Sequence, residues 1–200
     1  MEAPSFNPPA QWGERSKEIS AGSCPHIGGA YKRVPESMVS KCSEKSCEMP
    51  IPQGIPGMEY TYIGRHPSTV PYKKQRIQLP DNRQNQQDVF WIDQTSDRQY
   101  AVVEPWKSNG INAEETIFQA VRGDFSCETG LIKIGRTEWG GSPSRDSSVF
   151  ETDDIQIARM SDGALVYQVN RVETSRFIFG LFREAKREIL FFRFIPLDSF

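Results

Sequence analysis

Histidine is nearly missing from this chain. Only His26 and His66 occur in 200 residues, and neither falls in a His-Glu-x-x-His or comparable spacing that would pair it with a metal or a catalytic partner. The commonest general base near neutral pH is therefore scarce. A serine nucleophile elbow is also missing, since Gly140-Gly141-Ser142-Pro143-Ser144 puts a proline where a strained strand-to-helix turn is required. Gly28-Gly29 and Gly140-Gly141 are isolated pairs without the Gly-Lys-Ser/Thr continuation that cradles a phosphate. Neither an enzyme nor a cofactor is expected from such a chain. No apolar run approaches the roughly eighteen residues that a membrane-spanning helix needs.

Charge of one sign is lacking as well. The balance of 24 basic against 26 acidic side chains leaves a net charge of -2, so no overall field attracts DNA, RNA or an anionic membrane, and no nucleic-acid partner is expected. What is present is proline and glycine, 14 and 15 residues, against a hydrophobic share of 37%, a composition that assigns part of the chain to loop or tail. The length suits one domain. Residues 1–22 contain Pro4, Pro8 and Pro9 with little apolar periodicity, and are expected to form a flexible tether ahead of a single β-rich domain over 23–200. Residues 35–57 are expected to be irregular, ending in Pro50-Ile51-Pro52-Gln53-Gly54-Ile55-Pro56-Gly57, where proline denies ladder hydrogen bonds.

Beyond residue 58 short stretches of period-two alternation predict strands over 59–65, 89–93, 99–104, 131–138, 155–160, 164–172, 176–183 and 188–195, with an earlier strand over 27–33. Ser161-Asp162-Gly163 predicts a tight hairpin, because Asp-Gly supplies positive φ. A second hairpin is expected to turn at 184–187. Ile117, Phe118 and Val121 are spaced for one helical face, which predicts a helix over 113–121 capped by Asn112. The predicted fold class is mainly β, an antiparallel sandwich or open barrel with one short helix, stapled by disulfides. The apolar stretches 177–182 and 189–195 predict a core hairpin whose second face must also be covered.

An even count of four cysteines in a loop-rich chain suits an oxidising compartment. The opening Met1-Glu2-Ala3-Pro4-Ser5-Phe6 has neither a basic region nor an apolar one, so export is expected only if the numbered chain is a mature form. Zinc held by Cys24, His26, Cys42 and Cys47 is the alternative, but these spacings differ from Cys-x-x-Cys knuckles. Of three possible connectivities, the expected pairs are Cys42 with Cys47 and Cys24 with Cys127. Glu151, Asp153 and Asp154 form the densest acidic cluster, without calcium-loop spacing, and read as a solvated strand edge.

Cys24-Pro25-His26-Ile27-Gly28-Gly29-Ala30-Tyr31, Phe125-Ser126-Cys127-Glu128-Thr129-Gly130-Leu131 and Asp162-Gly163-Ala164-Leu165-Val166 occur in that order. Together they resemble a class of small bacterial envelope lipoproteins whose mature part opens with Cys-Pro-x-Leu/Ile-x-Gly-x-Tyr. The chain departs from that class in lacking a lipobox cysteine and in having Ala164 in place of serine. The resemblance implies an exported, periplasmic β-domain tethered to a membrane through a lipid anchor. Some lipoproteins of this style are immunity proteins that block an effector enzyme, a phospholipase or cell-wall hydrolase, delivered by a type VI secretion system. The expected role is therefore binding another protein, with a lipocalin-like lipid carrier as the alternative. Contact is expected on the loops at 37–56 and 139–148, through Trp139 and Arg145 with the charged pair Glu44 and Lys45.

Overall fold

Alternation in β4 (Val89–Ser96) sends Phe90 and Ile92 to one side of the sheet and Val89 and Trp91 to the other. Both sides are buried, because the strand lies between a second sheet and a smaller apolar layer. The computed structural model describes residues 5–16, 24–42, 73–106, 109–140, 147–177 and 182–197. The remaining strands are β1 (Gly29–Lys32), β2 (Ser37–Cys42), β3 (Lys73–Gln78), β5 (Gln99–Pro105), β6 (Asn112–Gln119), β7 (Phe125–Glu128), β8 (Leu131–Gly140), β9 (Ser147–Arg159), β10 (Leu165–Phe177) and β11 (Phe182–Phe194). They form a five-stranded sheet, β1-β4-β5-β6-β3, and a six-stranded sheet, β2-β11-β10-β9-β8-β7. Every pairing is antiparallel. Each sheet keeps its edges, so the fold is a sandwich and not a closed barrel.

The core between the sheets is aromatic. Tyr31, Phe90, Tyr100 and Phe118 from the first sheet meet Tyr167, Phe192 and Phe194 from the second. Tyr100 stacks on Phe118 at 4.8 Å, and Phe90 meets Phe194 edge to face at 5.4 Å. Such pairs add to the area term that dominates core stability. The last described members of this core on these strands are Ile155, Val169 and Leu190, and β9, β10 and β11 each run for 13 residues with their backbones paired along the whole ladder.

The Asp162-Gly163 hairpin is present, with Gly163 at φ 84° and its amide bonded to the Met160 carbonyl. Four other expectations are corrected. The helix over 113–121 is instead strand β6 followed by a 3-10 turn, Ala120–Arg122. The reason is lateral pairing: β6 is bonded to β5 on one edge and β3 on the other, and a helix there would strip both ladders. The turn at 184–187 is interior to β11, because the ladder with β10 runs unbroken from Leu165↔Phe194 to Phe177↔Phe182. Residues 37–42, expected to be irregular, form edge strand β2 against β11.

The fourth correction concerns the tether. Residues 5–16 lie on the outer face of the second sheet, where Trp12 is buried against Met160, Ala164, Val166 and Phe191. Buried Gln168 clips the segment in place, accepting the Asn7 N–H at 3.0 Å and donating to the Ser5 carbonyl at 3.3 Å. This segment is what covers the second face of the C-terminal strands. The strand expected at 59–65 lies outside the described residues.

Candidate functional site

The three short motifs are far apart in sequence and meet at one corner of the sandwich. Cys24 is bonded to Cys127, 103 residues away, with Cα atoms 5.1 Å apart. This fixes the start of the first motif to β7, and the Asp162-Gly163 turn lies beside it. The zinc alternative is excluded, since a bonded Cys24 has no thiolate to offer.

Residues 25–31 are held as a shaped loop. The Gln94 side chain acts like a neighbouring strand, its oxygen accepting the Ile27 N–H at 2.8 Å and its amide donating to the Pro25 carbonyl at 3.3 Å. Ile27 is buried in the core, and the Tyr31 hydroxyl donates back to the Ile27 carbonyl at 2.8 Å. Arg159, at the end of β9, donates to the His26 carbonyl at 3.5 Å. A side chain at Gly28 would come within 3.0 Å of the His26 ring, so glycine lets the loop and the imidazole share this space.

Between this loop, the 3-10 turn Asp81–Arg83 and the segment Pro196-Leu197 that follows β11 lies an open cleft of about 740 Å³. Its floor includes Tyr31, Trp91 and Ile92, and its rim carries His26, Arg83, Asp93, Arg159 and Asp162. A smaller hollow of about 290 Å³, lined by Ser16, Pro25, Ser161 and again His26 and Arg159, adjoins it. Arg83 makes two 2.7 Å contacts with Asp93 and lies 5.3 Å over the Trp91 ring. Asp162 is paired with Arg193, which also holds Glu36, and accepts the Ala164 N–H at 3.0 Å. Arg159 is half-buried and forms no ion pair among the described residues.

Burial pushes the Tyr31 phenol up to about 12, with the nearby Arg159 guanidinium acting the other way. Tyr167, wholly buried, is raised well above its ordinary value by the same desolvation, and Tyr31 and Glu104 add to it. Both phenols are neutral hydrogen-bonding groups at physiological pH. The Tyr167 hydroxyl has no hydrogen-bond partner among the described residues.

Of the residues expected from sequence to bind a partner, Trp139 alone is among those described, and it is not at this corner. Trp139 belongs to β8 and is in register with Glu151 of β9, eight residues from Arg159, or about 26 Å along the strand. Arg145, Glu44, Lys45 and Cys47 lie outside the described residues, and Cys42 ends β2 opposite Glu188. Of the acidic cluster, Asp153 and Asp154 are in register with Arg171 and Asn170 of β10. Among the described residues no group of acidic, histidine or cysteine side chains is arranged to hold a metal. Sequence reasoning flagged His26, Tyr31, Asp162 and Gly163 through their motifs but missed Arg83, Trp91 and Arg159. An arginine that ends an alternating strand carries no local mark distinguishing it from a solvated one. No family model matches the chain, and neither the curated proteins nor the solved structures contain a significant match.

Proposed function

We propose that this protein is a non-enzymatic interaction module of the bacterial periplasm. In its most concrete form it is an immunity protein that binds and blocks a secreted effector enzyme, a phospholipase or a cell-wall hydrolase. The observation that carries this reading is the preorganised corner, where a disulfide, the Gln94 clip and the Tyr31 hydrogen bond hold an Arg- and Trp-lined surface. Arginine and tryptophan dominate interface energies, and a surface that is already ordered loses little entropy on binding. The Cys24–Cys127 bond favours an oxidising compartment, and the membrane tether belongs to the same reading through lipidation of a precursor. The lipid-carrier alternative is disfavoured by a filled interior: Tyr31, Phe90, Tyr100, Phe118, Tyr167 and Phe194 are each at most 1% exposed and occupy the space a ligand would need.

An immunity gene lies beside that of its toxin, so the test is periplasmic co-expression with the product of the neighbouring gene. The expected result is a stable complex on gel filtration and relief of that product's toxicity. No complex, together with a lipid extracted from the purified chain and identified by mass spectrometry, would replace this reading with the carrier. Within a complex, Arg159→Gln is expected to weaken binding by at least tenfold. If Trp139→Ala and Arg145→Ala do so instead, contact is made at the far end of the second sheet.

A further inference from the structure

Among the described residues, one charge in the corner cleft has no ion-pair partner. Arg83 is paired with Asp93, and Asp162 with Arg193. Arg159 reaches, among the described residues, only a backbone carbonyl, at the long distance of 3.5 Å. A guanidinium presents donors in a rigid fork that matches a carboxylate in two-point contact, and leaving such a fork half-buried with one weak acceptor wastes most of its hydrogen-bonding capacity. The space in front of it is kept open by glycine, because a side-chain carbon at Gly163 would stand 3.8 Å from the Arg159 Nη2 and 3.4 Å from the Pro196 ring. Tyr31 does not compete, since its hydroxyl proton is committed to Ile27. The adjoining wall is apolar, formed by Pro196 and Leu197 with Trp91 behind them.

We propose that this cleft is a binding site for a carboxylate carried on an apolar body. Arg159 holds the carboxylate in two-point contact, and Pro196, Leu197 and Trp91 receive the apolar part. A phosphate dianion fits less well, because among the described residues Arg159 alone on the rim is an arginine without an ion pair, and Asp93 and Asp162 share that rim. A volume of about 740 Å³ is of the size that takes a small organic acid or the end of a peptide. The inference rests on the corner being the contact surface proposed above, and it names the chemical group of the partner that is recognised there.

The test titrates the full isolated chain, by amide NMR, with N-acetylphenylalanine, with 3-phenylpropionate, with the amide of each acid and with inorganic phosphate. The expected result is saturable shifts at Gly28, Gly29 and Gly163 with either acid, binding at least tenfold weaker for the amides, and no competition from phosphate. Binding of 3-phenylpropionate alone keeps the carboxylate site and assigns it to a free acid instead of a chain terminus. Arg159→Gln is expected to bring the acids down to the level of their amides with an unchanged melting midpoint. If that variant fails to fold, the comparison of acid with amide on the unaltered chain still decides. Equal binding of acid and amide, no binding of either acid, effective competition by phosphate, or a folded Arg159→Gln variant that binds like the original would each overturn the proposal. The titration uses no protein partner, so its failure is distinct from failure to form a complex with the neighbouring gene's product.

Discussion

Tyr31 joins the corner to the core: its ring stacks on Phe90 at 5.4 Å while its hydroxyl ties down the loop above. Its folded pKa of about 12 exceeds the ordinary phenol value of 10.0, so the folded state holds the proton more tightly than the unfolded chain does. The resulting stability is complete below pH 10 and is lost as the pH rises towards 12. Two pKa units correspond to about 3 kcal/mol. Stability measured by urea unfolding is therefore expected to be level up to pH 10 and to fall between pH 10 and 12. Tyr167 contributes in the same direction. Tyr31→Phe should flatten part of this decline, at a cost of about 1 kcal/mol at neutral pH for the lost hydrogen bond. A variant that keeps the full alkaline slope would show that the phenol titrates elsewhere.

At the scale of elements, the segment 5–16 has the largest untested consequence. Trp12 meets Phe191 edge to face at 6.5 Å, Ser161 donates its N–H to the Glu14 carbonyl at 2.9 Å, and Ser16 donates to the Arg159 carbonyl at 3.0 Å. The segment thus packs on the outer face of the second sheet and also lines the smaller hollow through Ser16. Trp12→Ala is expected to cost about 3 kcal/mol, which at about 2 to 4 °C per kcal/mol for a chain of this size lowers the melting midpoint by about 10 °C. Deleting the first sixteen residues should do at least as much, since it also removes the two hydrogen bonds that Gln168 makes to the segment. An unchanged midpoint in both variants would mean the segment contributes nothing to stability. Nothing local announces this docking: Pro8 and Pro9 precede Trp12 without periodicity, and its apolar seat is built by residues some 150 positions later. The same kind of distant cause turned 112–119 into a strand, because the β5 and β3 backbones needed its hydrogen bonds whatever its own preference.

For the whole molecule, the long-range disulfide is the dominant constraint on the unfolded chain. Closing a loop of 103 residues is worth about 4 to 5 kcal/mol in the loop-entropy account, so Cys24→Ser paired with Cys127→Ser should lower the melting midpoint by about 8 to 20 °C on the same scale. Thiol titration of the denatured, unreduced protein is expected to find no free thiol, and two or more would count against the oxidising compartment proposed above. The amino-acid sequence alone determined the β class, most strand positions and the Asp162-Gly163 hairpin, because alternation and turn chemistry act over a few neighbouring residues. It also singled out Cys24 and Cys127 as partners. Only the tertiary structure decided which face of the C-terminal hairpin Trp12 would cover, and that the first and third motifs would line one cleft while the second is joined to it through Cys127. It alone left Arg159 as the cation there without a counter-charge among the described residues. Burial and charge balance at a point in space are summed over residues from the whole chain, and no window of sequence contains that sum.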